Sequence, residues 1–233
     1  MMKPLKTFCI LLFLLISSSS VNAQANKTST VDTYVKIATN LGTMVFRLSA
    51  HTPNHTANFI NLTKKGYFNT YDFNRVIKGF VIQGGETDSA YAAMEKKGET
   101  IKRLPAEFNV ALFHQKGALA AGRDDNKDKS SFLGQFYVVD GKKYTDAQLD
   151  AIEKRIGKDF HFSAEARKVY KEIGGTPTLD QNYTVFGQLV KGWEVLESIA
   201  SAQKDKADRP LVKITTKVSI LSKKDVKALL ATN

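Results

Sequence analysis

Short runs of alternating apolar and polar residues, each stopped by a turn signal, recur along most of this chain. Alternation means strands with one buried face, and the turns between them mean strands that fold back on their neighbours. Val35 and Ile37 alternate with polar residues, Asn40-Leu41-Gly42 supplies a turn, and Met44, Phe46 and Leu48 alternate again. Phe73–Ile77 and Phe80–Gln83 follow, the second broken by Gly84-Gly85. Gly117–Ala121 and Gln135–Val139 are apolar enough for buried strands, and Tyr183–Leu189 is another candidate. The last run, Val212, Ile214, Thr216, Val218 and Ile220, alternates strictly.

Only two helices interrupt this pattern in the main body. Thr52 and Pro53 open one, Phe59, Ile60 and Leu62 give it an inward face, and Gly66 ends it. Trp193 to Ala200 forms the other, with Val195, Leu196 and Ile199 inward. Many strands and few helices argue for a mainly β fold, a closed antiparallel barrel with helices at its ends. Residues 86–110 read as a charged loop, and Arg123 to Lys129 as a solvated one. Residues 141–176 differ. Thr145-Asp146-Ala147-Gln148 is a capping box, and Leu149, Ile152 and Ile156 follow at helical spacing. Val169, Tyr170 and Ile173 mark a second helix before Gly174-Gly175, so the segment reads as a helical hairpin inserted between strands and resting on the main body.

The chain starts with the pattern of a secretory signal: Lys3 and Lys6, an apolar run Phe8–Ile16, then Val21-Asn22-Ala23. The expected organisation is a signal peptide over 1–23, a disordered lead-in over 24–33, a domain over 34–221 and a C-terminal tail over 222–233. The expected location is outside the cytoplasm, in the periplasm for a bacterial signal. The single cysteine, Cys9, lies in the signal, and Lys6-Thr7-Phe8 before it does not suit lipidation, so no stable membrane anchor is expected. The formal charge of +11 falls to +9 once Lys3 and Lys6 are removed. The basic residues are scattered among acids, which speaks against a nucleic-acid groove. Monomer is the expectation, since neither heptads nor a broad apolar stripe is present.

Activity enters through one segment, Phe73-Asn74-Arg75-Val76-Ile77-Lys78-Gly79-Phe80-Val81-Ile82-Gln83-Gly84-Gly85-Glu86. An arginine, an aromatic five residues later and then Gln-Gly-Gly resembles the signature of the cyclophilin family of peptidyl-prolyl isomerases. Leu41-Gly42-Thr43, Thr52–Tyr67, Lys116–Ala121, Gly134–Val138 and Tyr183–Gly187 are similar to further family segments in order, covering roughly residues 35–140 and 176–221. The resemblance implies an eight-stranded cyclophilin-like barrel capped by two helices, with the hairpin 141–176 outside the shared pattern. It also implies catalysis of cis–trans isomerisation before proline, acting on unfolded or flexible proline-containing polypeptides, with no cofactor and no metal.

By that resemblance Arg75 is the catalytic residue. Phe80, Val81, Tyr137 and Leu179 line a proline pocket, with Tyr183 at its rim. Gln83 and Gln135 hold the substrate backbone and orient Arg75. This chain departs from the family at several places. Tyr137 stands where Phe is frequent and adds a hydroxyl that needs a partner. Asn74 and Tyr183 replace frequent histidines. Thr178 occupies a position that is Trp in cyclosporin-sensitive members, so weak cyclosporin inhibition is expected. His51, His55, His114 and His161 are dispersed and read as surface residues rather than metal ligands. The competing function is a proline-segment binding module or chaperone with little turnover, which would keep the apolar pocket but would not need Arg75.

Overall fold

A computed structural model of the chain describes residues 33–231. The expected signal peptide and all but the last residue of the expected lead-in lie outside the described residues.

Alternation in the sequence becomes a meander of short strands. β1 (Tyr34–Thr39) and β2 (Gly42–Leu48) form the opening hairpin, and Val35 opposes Phe46 across it. After helix α1 (Pro53–Lys64) come β3 (Asp72–Val76) and β4 (Val81–Gly85). β4 runs through both glycines instead of stopping at them. A Cβ on Gly84 would meet the Phe136 ring at 2.9 Å, and one on Gly85 would meet Gly134 O at 2.1 Å. The glycines therefore let neighbouring chain approach closely.

Helix α2 (Asp88–Lys96) corrects the loop expected over 86–110. It buries only Tyr91, too little for a periodic apolar signal. Further on, β5 (Arg103–Leu104) pairs with β7 (Ser131–Phe132), while β6 (Ala118–Ala121) and β8 (Gln135–Val139) lie at the centre of the main sheet. The insert carries α3 (Asp146–Ile156) and α4 (Ala164–Glu172). Its capping box is formed, Thr145 N–H donating to Gln148 Oε1 and Gln148 N–H to Thr145 Oγ1. Arg167 on α4 ties to Asp150 and Glu153 on α3. Tyr170, Leu149, Ile152 and Phe162 pack into a small core against Phe113, while Ile173 is exposed.

β9 (Val185–Lys191), α5 (Trp193–Ala200), β10 (Ile214–Thr215) and β11 (Lys217–Ile220) complete the barrel, and α6 (Lys223–Ala231) gives helical structure to the segment expected as a tail. The sheet order is β10-β3-β4-β8-β6-β9-β2-β1-β11. β10 pairs with β3 and β11 with β1, so one continuous segment, divided at Thr216, joins both edges of the sheet. Counted as a single stave it makes the expected eight. The interior is filled by alternate strand residues such as Ile37, Phe46, Ile82 and Val138. Phe136 meets Phe59 and Phe68 edge-to-face at 5.7 and 5.3 Å, which seats α1 on the barrel end.

Candidate active site

Period two places the site. In β4, Ile82 faces the barrel core while Val81 and Gln83 face outward; in β8, Phe136 and Val138 face in while Gln135, Tyr137 and Val139 face out. On that outer face Val81, Tyr137, Val139 and Val185 pack with Ala118 and Ala120. The two alanines are small, so the surface is concave. Phe80, Leu179 and Tyr183 close over its edge.

A cavity of about 450 Å³ opens there. The structure brings all eight residues singled out from the sequence to its lining: Arg75, Phe80, Val81, Gln83, Gln135, Tyr137, Leu179 and Tyr183. Arg75 opposes Gln83 directly across the β3–β4 hairpin. Its side chain is 41% exposed, and its Nε lies 3.9 Å from Asp208 Oδ2, too long for a hydrogen bond. Asp208 instead pairs closely with Lys204, at 2.7 Å. The guanidinium thus stands at the cavity with its donors largely uncommitted. The tight turn after β3 is held by the residue that follows the neighbouring strand β8, with Gly79 N–H donating to Asp140 Oδ2 at 2.7 Å. Asp140 and Gly141 N–H groups both donate to Phe80 O, fixing the backbone that carries the Phe80 ring.

Tyr137 resolves its extra hydroxyl inward, 2.9 Å from His114 Nε2, and its ring meets Tyr183 edge-on at 5.8 Å. Burial, with the nearby Tyr183 and Asp180, keeps the Tyr137 phenol well above its ordinary range, so it stays neutral. Burial raises Tyr183 as well. Gln135 donates its amide to Glu86 O and Asp88 Oδ1, which anchors the start of α2 rather than Arg75. Its Oε1 presses on Gly122, where a Cβ would come within 2.0 Å. Thr178 lies half-buried in the 3₁₀ turn Pro177–Leu179 that presents Leu179.

Sequence reasoning missed one wall. Asp88, Ala92 and Glu95 of α2 line the cavity opposite the apolar floor, as do Arg123 and Asp124 from the segment read as a solvated loop. That segment is tied down: Arg103 grips Asp124 with two bonds, and Arg123 donates to Asn182 O at 2.7 Å and covers the Tyr183 ring. Thr87, which caps α2, followed by Asp88-Ser89-Ala90, was the available signal.

Two histidines expected at the surface are buried, which corrects that reading. His55 is 2% exposed; its Nδ1 lies 2.6 Å from Glu107 Oε2 and its Nε2 3.0 Å from Ser131 Oγ. The order serine–histidine–carboxylate resembles a hydrolase triad, but Ser131 is fully buried, so no substrate carbonyl reaches its hydroxyl. Its function is structural. Thr52 makes no capping bond, and Glu107 accepts from the Asn54 and His55 N–H groups in its place, closing the first turn of α1. His114, 1% exposed, bonds Asp180 and Tyr137. Among the described residues, the cavity lining holds no Ser, Thr, Cys or His. It offers an apolar floor, neutral phenols, guanidinium donors and carboxylates from Asp88, Glu95, Asp124 and Asp125, which suits holding a ligand by noncovalent contacts.

The chain is similar to known proteins over most of its length. The family described as cyclophilin type peptidyl-prolyl cis-trans isomerase/CLD matches residues 34–219. A Staphylococcus saprophyticus protein, provisionally named a peptidyl-prolyl cis-trans isomerase, is 36% identical over 180 residues, covering 76% of this chain and 85% of its own. A similarly named Staphylococcus haemolyticus protein is 34% identical over 185 residues, covering 77% and 87%. Among solved structures, a Cryptosporidium parvum cyclophilin type peptidyl-prolyl cis-trans isomerase superposes with a TM-score of 0.59 at 23% identity, covering 82% of this chain and 99% of its own. The same protein, solved in the presence of the dipeptide Ala-Pro, gives 0.57. On the family match and the identity to these relatives, the chain belongs to the cyclophilin-type peptidyl-prolyl cis-trans isomerases.

Proposed function

We propose that this enzyme assists the folding of exported proteins by twisting the amide before proline over the Phe80–Val81–Tyr137–Leu179 floor, with Arg75 as the catalytic residue. Resonance holds a peptide bond planar behind a barrier of about 18–20 kcal/mol, and Xaa-Pro bonds exchange over tens of seconds or more. No bond need break, so the enzyme has only to bind the twisted amide better than either planar form. Twisting makes the proline nitrogen pyramidal and leaves a lone pair on it. A guanidinium, always charged and carrying several fixed donors, stabilises that lone pair and gains little from the planar amide. Gln83, the cross-strand neighbour of Arg75, is the residue suited to steady it and the peptide backbone.

The observation that carries this reading is the Arg75 side chain lining a cavity with an apolar floor, with only a 3.9 Å approach to Asp208. The dipeptide in the Cryptosporidium structure, Ala-Pro, has the Xaa-Pro form this floor would accept. The secretory pattern of the first residues supports exported clients. The test is isomerisation of a short Xaa-Pro peptide. Arg75→Ala should lower kcat/KM by about a hundredfold or more, the scale of losing one preorganised donor to a transition state, while peptide affinity changes little. Unchanged turnover in Arg75→Ala would remove the arginine mechanism. Loss of peptide binding together with turnover would make Arg75 a ground-state contact instead.

A further inference from the structure

A chain of buried hydrogen bonds runs from the helical insert to the underside of the cavity floor. Tyr170 of α4 donates its hydroxyl to Asp180 Oδ2 at 2.6 Å. Asp180 Oδ1 accepts from the His114 N–H at 2.9 Å and lies 2.6 Å from His114 Nδ1. His114 Nε2 then meets the Tyr137 hydroxyl at 2.9 Å. Exposure is 0% for Tyr170, 6% for Asp180, 1% for His114 and 4% for Tyr137. We propose that the helical insert is a positioning element for the isomerase site, holding the Tyr137 ring and the shape of the proline pocket through Tyr170, Asp180 and His114. The proposal rests on the reading of the cavity as the proline site.

Chemistry sets the donors at the carboxylate. A carboxylate only accepts, so Tyr170 and His114 Nδ1 both donate to Asp180. The other ring nitrogen, His114 Nε2, shares a hydrogen bond with the Tyr137 hydroxyl, a group that can donate or accept. No member can turn away without stranding a buried polar atom, which costs more than the bond itself contributes. The Tyr137 ring is therefore held at its hydroxyl end as well as by packing. A phenylalanine at this position would have only the packing.

The same insert grips the other walls. Thr176 N–H donates to His114 O, and Asp180 directly follows Leu179. At the opposite end of the insert, Gly141 N–H donates to Phe80 O. The Gly175 backbone also lies directly on the body: a Cβ there would meet His114 O at 2.2 Å. Phe80, Tyr137 and Leu179, three walls of one pocket, thus share a support that the barrel alone does not provide.

The test is a double-mutant cycle on the full enzyme, read as kcat/KM for an Xaa-Pro peptide with thermal denaturation alongside. Tyr170→Phe keeps the ring and removes the first link. It should lower kcat/KM about fivefold, roughly 1 kcal/mol, in the otherwise unchanged enzyme, and change it less than about 1.5-fold when Tyr137 is already Phe. Asp180→Asn, nearly isosteric, should repeat the pattern if Tyr170→Phe proves unstable. Equal falls in both backgrounds would mean the chain only stabilises the fold, and no fall in either would mean it does not reach the site; both overturn the proposal. Unchanged Xaa-Pro peptide binding and turnover in Phe80→Ala would overturn the reading of the pocket itself, whereas their loss beside additive tyrosine variants overturns only the role of the insert.

Discussion

His55 shows how far one side chain's behaviour can depart from its place in the sequence. Burial lowers its pKa below the ordinary 6.5, against the opposing pull of Glu107. Burial also resists ionisation of Glu107, but bonds from the His55 ring and from the His55 and Asn54 N–H groups outweigh it and hold the carboxyl below 4.5. A neutral imidazole therefore donates Nδ1–H to a carboxylate and accepts from Ser131. Both folded pKa values are depressed, so the unfolded chain binds more protons on acidification and stability falls. The His55 contribution is lost as pH drops from about 6.5 toward its lowered folded value, and that of Glu107 as pH drops below about 4.5. Thermal melts between pH 7 and pH 5 should show a declining Tm, with a shallower slope in His55→Asn. An unaltered slope in that variant would exclude His55 as a source. Nothing in the local sequence announces this pair, because Glu107 is 52 positions away and Asp180 is 66 from His114. Arg75, Phe80 and Gln83 were legible for the opposite reason: they sit within one hairpin, where spacing and geometry are nearly the same thing.

At the scale of elements, β4 and α2 show what local pattern carries and what it does not. Glycine in a strand usually reads as a break, yet in β4 it is a packing requirement. Gly85 has φ of +80° and Gly134 O in the space a Cβ would fill, while Gly79 has φ of +75° and open space around it. Alanine should therefore cost about 1 kcal/mol at Gly79, from backbone strain alone, and about 3 kcal/mol or more at Gly85, where strain and collision add. Urea denaturation of the two variants distinguishes these; equal costs would show that the close approach at Gly134 relaxes freely. Helix α2 escaped detection because its position is held by partners rather than by an apolar stripe. Glu86 accepts from Tyr67 and Tyr91, and Gln135 from a distant strand binds Asp88. The insert helices α3 and α4, by contrast, were visible through a capping box and helical spacing, which are local signals.

For the whole molecule, barrel closure depends on one residue between two short strands. Thr216 ends the pairing of β10 with β3 and begins that of β11 with β1, and its Oγ1 lies 2.8 Å from both Phe68 O and Tyr71 O. Phe68 O keeps the Tyr71 N–H, so Thr216→Val should leave Tyr71 O without this donor and cost about 1–3 kcal/mol in chemical denaturation, with the fold and the isomerase activity at low temperature retained. A loss below about 0.5 kcal/mol would show that closure does not rely on this bond. The sequence by itself determined the strands of the main sheet, the two main helices, the helical hairpin and the family, because alternation, caps and a compact motif are encoded by near neighbours in the chain. Only the tertiary structure decided that one strand closes both edges of the sheet, that α2 and the Arg123 segment wall the cavity, and that the insert reaches Tyr137 through two buried side chains. Those depend on partners far apart in sequence, whose value arises from burial, and burial exists only once the chain has folded.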